Sequence, residues 1–429
     1  MRLGGRLQAA IDILADIESR KRPAADAMKD WGLAHRFAGS GDRAAIGTIV
    51  YDALRLKRST AWRLDAEGPR ANAFGALMAC AGETPDSLAT ALAGDNFAPP
   101  PLTDEECAAW AERELADAPD AVRADVPDWT VPHLEEAFGA DWIAEGAALA
   151  ARPPFDLRVN ALKSNRERVL KELADTGAIA AVLAPQAIRI PPIAGLGRHP
   201  NVQAEPAFAK GWYEVQDEGS QIVAMLAAPD HPGQILDYCA GAGGKTLALA
   251  GAFANKGQIF AFDADKARLS PIFDRLKRAG AHNVQVIARP AQLAPLDGRM
   301  DLVLVDAPCT GAGTWRRRPD AKWRLSDRQL ETRIAEQATI LAAAAGFVRP
   351  GGRLAYVTCS VFAGENDRQI QAFLAAHPGF VALDMRAEWE RKLPGTSRRA
   401  RFPDHAGALL SPALTGTDGF YVAVFVRRG

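Results

Sequence analysis

Hydrophobic positions near the start of the chain recur at helical spacing. Leu3, Leu7, Ile11, Leu14 and Ile17 lie three or four residues apart, which predicts an amphipathic helix. Further segments up to about residue 140 repeat this pattern and contain few strand-forming residues, while a proline-rich stretch over residues 97–103 indicates a linker. We therefore predict a helical first domain, with its linker, over residues 1–140.

From residue 153 the pattern changes to short alternating runs. Residues 155–160 and 187–191 read as strands, and residues 165–176 read as a helix between them. This combination predicts a small α+β module over residues 141–220.

From residue 234 onward, β-rich runs alternate with helical segments. The predicted strands are 234–238, 258–263, 284–288, 300–306, 353–359 and 420–426. Such alternation predicts a mostly parallel sheet with helices on both faces. The fold class is therefore α/β, with a Rossmann-like domain over residues 221–429 that ends in an antiparallel strand.

Composition narrows the class of protein. Hydrophobic residues make up 48% of the chain and charged residues 24%, which is typical of globular proteins. Charged side chains interrupt residues 1–23, so neither a signal peptide nor a membrane span is predicted, and we expect a cytoplasmic monomer. The net charge of −1 does not by itself indicate nucleic acid, although it can conceal local basic patches. The spacing of the five cysteines fits neither a disulfide framework nor a zinc site, so no metal is predicted.

A glycine-rich turn follows the first predicted strand of the Rossmann-like domain. Residues 239–246 read Cys-Ala-Gly-Ala-Gly-Gly-Lys-Thr and lead into a helix. Glycines at such a turn permit a tight backbone and the close approach of a ligand. A phosphate-binding Walker A loop is the alternative, but it needs a glycine where Cys239 stands.

An acidic residue at the end of the next strand favours a nucleoside cofactor. Asp263 lies 20 residues after Gly243 and can accept hydrogen bonds from both ribose hydroxyls of an adenosine. A nucleoside triphosphatase has no need of this carboxylate, although that class stays open.

Two cysteines follow predicted parallel strands directly. Cys309 lies in Asp-Ala-Pro-Cys-Thr-Gly (306–311), and Cys359 lies in Thr-Cys-Ser (358–360). A lone cysteine at such a position is more often a small core residue, but two beside a nucleoside loop suggest chemistry. A thiolate that adds to carbon 6 of cytosine makes carbon 5 nucleophilic towards the methyl group of S-adenosylmethionine. A protonated carboxyl must then face ring nitrogen 3, and Asp306 is the candidate.

These motifs resemble the RNA cytosine-5 methyltransferases of the Nol/Nop/Sun group, especially the bacterial RsmB-like enzymes. The matching segments are 237–246, 306–311, 358–360 with Glu365-Asn366, and 418–421, and upstream 158–163 and 216–221. The helical first domain resembles the RNA-binding antitermination factor NusB. The likeness thus covers nearly the whole chain.

The resemblance implies the site residues. Cys359 would be the nucleophile and Cys309 would assist release of the methylated product, with Asp306 and Lys245 beside the base. The cofactor S-adenosyl-L-methionine would be bound by Cys239, Ala240, Gly241, Ala242, Gly243, Gly244, Lys245, Asp263, Arg268 and Asp306. The sequence departs from the family at Ala242, where proline is usual. It also lacks a carboxylate over residues 286–292, where only Gln292 could substitute by hydrogen bonding.

A basic and aromatic run, residues 315–324, directly follows the first cysteine motif. Arginines neutralise phosphates and tryptophans stack on unpaired bases. We expect RNA contacts from Arg316, Arg317, Arg318, Arg158 and Asn160. A second run, 398–401, is equally well read as solvated surface.

The predicted function is methylation of cytosine carbon 5 in RNA, with ribosomal RNA as the expected substrate. Transfer RNA is the alternative substrate, and a non-catalytic ribosome-assembly factor that kept the fold is the alternative class.

Overall fold

The computed structural model describes residues 1–396 and 398–429. Its helices, in chain order, are α1 (Leu3–Arg20), α2 (Ala24–Ala34), α3 (Ser40–Arg55), α4 (Lys57–Leu64), α5 (Pro69–Ala81), α6 (Pro85–Leu92), α7 (Asp104–Glu112), α8 (Asp120–Arg123), α9 (Val131–Phe138), α10 (Trp142–Ala150), α11 (Arg166–Glu172), α12 (Pro206–Ala209), α13 (Glu218–Ala227), α14 (Gly244–Ala252), α15 (Lys266–Leu269), α16 (Ile272–Ala279), α17 (Pro319–Arg324), α18 (Asp327–Ala345), α19 (Asp367–Ala376), α20 (Met385–Lys392) and α21 (Pro412–Thr415).

Its strands are β1 (Phe155–Val159), β2 (Ile179–Ala180), β3 (Ala187–Ile190), β4 (Tyr213–Val215), β5 (Gln234–Asp237), β6 (Gln258–Phe262), β7 (Val284–Ile287), β8 (Met300–Asp306), β9 (Val348–Thr358), β10 (Phe380–Ala382), β11 (Gly407–Leu410) and β12 (Phe420–Arg427).

The chain divides into two compact units that are discontinuous in sequence. The helical unit comprises residues 1–153, 192–200 and 314–326, and the sheet unit comprises residues 154–191, 201–313 and 327–429. These two units do not coincide with the three domains predicted from the sequence, with boundaries at residues 140 and 220. The three-domain division stays a prediction.

The helical unit has an apolar core formed by the inward faces of its longer helices. Leu7 of α1, Ile46 and Ile49 of α3, and Phe74 and Leu77 of α5 are at most 2% exposed. The spacing of these residues places them on one face of each helix, so burial of the faces stabilises the bundle. The prediction of a helical N-terminal region is therefore confirmed.

Residues 314–326 fold as part of the helical unit. The Arg55 Nε donates to the carbonyl oxygen of Arg316 at 2.7 Å, and the Trp323 Nε1 donates to that of Leu54 at 2.7 Å. The Lys322 ammonium, 1% exposed, donates to the carbonyl oxygens of Arg55 and Asp125. These bonds attach the segment to the C-terminal end of α3, far away in sequence.

A small antiparallel sheet opens the sheet unit, with the strand order β2-β3-β1-β4. Both strands predicted here are present, and β1 pairs with β3 from Phe155↔Ile190 to Arg158↔Ala187. Strand β4 was not predicted, because its three residues are too few to show an alternating pattern.

The large sheet has the strand order β10-β12-β9-β8-β5-β6-β7, and β11 pairs with β12. Strands β5 to β9 pair with one another in parallel, and β12 pairs with β9 in the antiparallel direction. The predicted Rossmann-like topology with an antiparallel final strand is thus confirmed. The strand order reverses between β5 and β8, and ligands bind beside the carboxyl ends of strands at such a point.

Within residues 1–396 and 398–429, no helix is both long and apolar enough to cross a membrane.

Candidate active site

The turn after β5 has the geometry of a ligand-binding loop. Gly241 and Gly243 have φ angles of 50° and 83°, in the left-handed region, and α14 begins directly afterwards at Gly244. A Cβ at Gly243 would lie 2.6 Å from Ile272 Cγ1, so both the backbone conformation and the space require glycine there. The backbone N–H groups at the start of α14 form a partly positive surface beside this turn.

Asp263 fixes this loop from the end of β6. Its Oδ2 accepts a hydrogen bond from the Gly241 N–H at 2.9 Å, and its Oδ1 accepts one from the Asp265 N–H at 2.8 Å. A Cβ at Gly241 would lie 3.7 Å from Arg268 Nη2 and 3.9 Å from Asp263 Oδ2. The predicted cofactor residues of the loop, Asp263 and Arg268 therefore converge on one place.

Asp237, at the end of β5, is a buried acidic residue that the sequence analysis does not include among the site residues. The carboxyl is 1% exposed, and its Oδ2 accepts a hydrogen bond from the Thr246 hydroxyl at 2.6 Å. Burial raises the pKa of Asp237 to about 7, although the hydrogen bond from Thr246 acts to lower it. An acidic residue at the carboxyl end of a parallel strand was the signal that could have identified it.

Lys245 and Asp306 form an ion pair between α14 and the end of β8. The Lys245 Nζ lies 2.6 Å from Asp306 Oδ2, and their side chains are 6% and 36% exposed. The ammonium also lies 5.4 Å from the centre of the Phe420 ring. The buried Lys245 side chain thus lies directly against the more exposed carboxyl group of Asp306.

The two cysteines that follow β8 and β9 meet in space. Cys309 Sγ lies 3.3 Å from Cys359 Sγ, and both side chains are half-buried. The hydrogen bond with Cys359, followed by burial, holds the pKa of the Cys309 thiol well above its usual range. Cys309 therefore keeps its proton.

Three of the side chains predicted to contact RNA are enclosed by protein. Arg158, Asn160 and Arg316 are 7%, 3% and 4% exposed. The Arg158 Nε donates to Gln216 Oε1 at 2.6 Å, and the Asn160 Nδ2 donates to the Gly211 and Ala279 carbonyls at 2.8 Å. In this structure these side chains support the protein rather than face solvent, because a buried charge or amide is held by protein partners.

The remaining parts of the basic run differ in exposure. Arg317 is half-buried and Arg318 is exposed, so RNA contact by these two stays a prediction. Trp315 is 1% exposed, which removes it as a stacking platform for a base. Beyond β7, the Gln292 Oε1 accepts a hydrogen bond from the Arg289 N–H at 3.0 Å within its own turn.

Within the described ranges, 1–396 and 398–429, no group of three or more His, Cys, Asp and Glu side chains is arranged to hold a metal ion.

Fold and site together define a methyltransferase of the Rossmann-like class. The family "16S rRNA methyltransferase RsmB/F" matches residues 224–426, and a "Methyltr_RsmF/B-like, ferredoxin-like domain" matches residues 126–192. The chain belongs to the RsmB/F methyltransferase family.

Relatives bearing the name ribosomal RNA small subunit methyltransferase B are 35% identical over 306 residues in Enterobacter sp. (strain 638) and 36% over 307 residues in Salmonella arizonae. A probable member from Synechocystis sp. is 32% identical over 309 residues, or 69% of this chain. The first two alignments cover 70% of this chain, and each of the three spans 66% of the relative's own length.

Two solved structures share the fold. The crystal structure of PH0851 has a TM-score of 0.71 at 24% identity, covering 99% of this chain and all of that one. The structure of NSun6 from Pyrococcus horikoshii with SFG has a TM-score of 0.58 at 21% identity, covering 71% of this chain and 98% of that one.

Proposed function

We propose that this protein methylates carbon 5 of a cytosine in RNA, using S-adenosylmethionine, with small-subunit ribosomal RNA as the substrate. The observation that carries the proposal is the pair of thiols at 3.3 Å, at the carboxyl ends of neighbouring strands beside the Lys245–Asp306 pair. The names of the RsmB relatives supply the substrate class.

The loop after β5 and Asp263 fit the cofactor. Left-handed glycines leave its backbone open to close approach, and each oxygen of Asp263, already held by one N–H, keeps a free lone pair for a ribose hydroxyl. We assign Cys239 to Lys245, Asp263, Arg268 and Asp306 to this binding site. When bound, the cofactor supplies the methyl group.

The chain's own residues would activate the cytosine. The Cys359 sulfur adds to carbon 6 and places negative charge on the ring, which makes carbon 5 nucleophilic. The Asp306–Lys245 pair faces that charge and supplies a proton to ring nitrogen 3. After methylation, water takes the carbon 5 proton, the ring electrons expel Cys359, and nitrogen 3 gives its proton back to the Asp306–Lys245 pair. Cys309 donates its proton to the departing sulfur, which replaces the thiol proton that Cys359 lost to solvent on attack, and Cys309 regains a proton from solvent.

The test is transfer of labelled methyl from S-adenosylmethionine to bulk ribosomal RNA prepared from cells that lack this protein, followed by nucleoside analysis. Label in 5-methylcytidine is the expected result. Label that appears only when transfer RNA is supplied would move the substrate to that class. No transfer by folded protein that binds the cofactor would favour the ribosome-assembly factor, and binding of nucleoside triphosphate instead would favour the triphosphatase.

A further inference from the structure

Two consecutive residues, Glu365 and Asn366, contact both cysteine loops. They lie between β9 and α19 and are 0% and 1% exposed. The mechanism above gives neither of them a chemical step, yet both put polar side chains in the interior, where an unbonded polar group is costly.

Glu365 holds the loop that carries Cys309. Its Oε1 accepts hydrogen bonds from the Thr310 N–H at 2.8 Å and the Gln337 Nε2 at 2.9 Å, and its Oε2 accepts one from the Thr310 hydroxyl at 2.5 Å. The same Gln337 amide donates to the Pro308 carbonyl at 3.0 Å. Both neighbours of Cys309 are therefore tied, directly or through Gln337, to one carboxylate.

Three hydrogen-bond donors, the Thr310 N–H, the Thr310 hydroxyl and the Gln337 amide, compensate the burial of the Glu365 carboxyl group. A carboxylate offers two acceptor oxygens in a fixed plane, which suits a loop that presents a backbone N–H and a side-chain O–H together.

Asn366 holds the loop that carries Cys359. Its Oδ1 accepts a hydrogen bond from the Thr358 hydroxyl at 2.6 Å, and its Nδ2 donates to the Ser360 carbonyl at 3.0 Å. The amide therefore spans Cys359 by bonding the residue on each side of it. The Thr310 and Ser360 hydroxyls lie 3.3 Å apart, so the two held loops also touch each other.

We propose that Glu365 and Asn366 are positioning residues whose function is to set Cys309 Sγ against Cys359 Sγ. Because Glu365 and Asn366 are consecutive in the backbone, they fix the Cys309 loop and the Cys359 loop relative to each other. The consequence for catalysis rests on the proposed function: release of the methylated base needs the Cys309 proton within reach of the Cys359 sulfur.

The rate of reaction with phenylarsine oxide reports whether the two thiols are held side by side, and it needs neither RNA nor cofactor. The arsenic forms a bond to each sulfur, and its oxygen leaves as water with the two thiol protons, so capture requires two neighbouring thiols. We expect rapid capture of Cys309 and Cys359 in the unaltered protein, located by peptide mapping. In Glu365→Ala and Asn366→Ala, the rate should fall by about 10-fold or more, because each loop loses its fixed place.

Gln369→Ala is the matched control. Gln369 lies in α19, is 5% exposed and donates to the Ile334 carbonyl at 3.1 Å, away from both cysteine loops. Gln369→Ala should lose about as much stability as Glu365→Ala and Asn366→Ala, but phenylarsine oxide should capture its two cysteines as fast as in the unaltered protein. If an alanine variant fails to fold, Glu365→Gln replaces it, since an amide keeps one acceptor oxygen and should give an intermediate rate.

Methyl transfer supplies the second readout. For Glu365→Ala we expect kcat to fall about 100-fold with KM for RNA nearly unchanged, and covalent protein–RNA adduct to accumulate. Capture rates equal to the unaltered protein in both folded variants would overturn the proposal. If the unaltered protein transfers no methyl group, the proposed function fails, whereas the arsenical comparison still decides the positioning role.

Discussion

We propose different roles in the reaction for the two thiols. Cys309 has a hydrogen-bonded neighbour and an interior position, and both raise its pKa. A thiol that keeps its proton is a poor nucleophile and a good proton donor to a departing sulfur. The proposed roles of Cys359 as nucleophile and Cys309 as proton donor rest on this raised pKa and on the 3.3 Å between the two sulfurs.

Replacing Cys309 by alanine tests this division. We expect protein trapped on RNA as a denaturant-resistant adduct, because attack by Cys359 remains while release is impaired. Gel mobility after heating in denaturant measures it. Cys359→Ala serves as the control: it should give no adduct and no turnover while cofactor binding persists. Adduct formed by Cys359→Ala, or none by Cys309→Ala, would contradict the assignment.

Asp237 predicts how stability depends on pH. Its pKa is raised from 3.8 to about 7, so between those values the folded state binds a proton that the unfolded state has released. Its contribution to the free energy of unfolding is therefore complete below pH 3.8 and is lost as the pH rises to about 7.

Asp237→Asn should remove that slope, because the amide keeps an acceptor for Thr246 and has no charge. Urea unfolding across this pH range should show the variant gaining about 2–4 kcal/mol relative to the unaltered protein as the pH rises. Asp297→Asn, at an exposed carboxyl, controls for loss of a charge. Parallel curves for Asp237→Asn and the unaltered protein would refute the buried titration.

At the scale of elements, the turn between β5 and α14 combines two constraints on one residue. Gly243 has a left-handed φ and lies against Ile272, whereas Gly298 has a left-handed φ of 63° with no atom within 4 Å of an added Cβ. A side chain at Gly298 would therefore meet backbone strain alone, whereas one at Gly243 would meet both strain and steric overlap with Ile272.

We expect Gly298→Ala to cost about 1 kcal/mol through strain alone. Gly243→Ala should cost about 2–4 kcal/mol, because the methyl group also displaces Ile272, and it should weaken binding of S-adenosylmethionine. Denaturant unfolding and calorimetric titration measure the two effects. Equal costs at both positions, with cofactor affinity unchanged, would show that the turn tolerates repacking.

For the whole molecule, the discontinuous units have a consequence for truncation. The helical unit includes residues 192–200 and 314–326. Lys322 and Trp323, in the second segment, donate hydrogen bonds to carbonyl groups of α3, and Lys322 is buried. A fragment of residues 154–429 would retain these segments without the helices that enclose them.

That fragment should therefore aggregate or be cut by protease within residues 314–326, because a buried cation and the Trp323 ring become exposed. Co-expression of residues 1–153 as a separate chain is the control and should restore solubility and protection. Size-exclusion chromatography and limited proteolysis measure both. A soluble fragment that unfolds cooperatively on its own would mean that the helices are dispensable for folding.

Several features of this protein are encoded in local patterns of residues along the chain. Helical spacing in α1, the alternation of strands and helices from β5 onward, the glycine turn and the two strand-end cysteines were all readable, because periodicity and turn chemistry act over a few residues. The carboxyl ends of parallel strands share one edge, so even the meeting of Cys309 and Cys359 could be expected from topology.

Which polar residues face inward depends on contacts that form in the folded chain. Lys322 bonds to Arg55, 267 residues away in sequence, whereas the composition of the basic run around it predicts contacts with RNA. Asp237 and the Glu365–Asn366 pair likewise acquire their roles from enclosure by residues distant in sequence. The physical reason is that burial and long-range hydrogen bonding belong to the folded chain, whereas charge and spacing belong to the sequence.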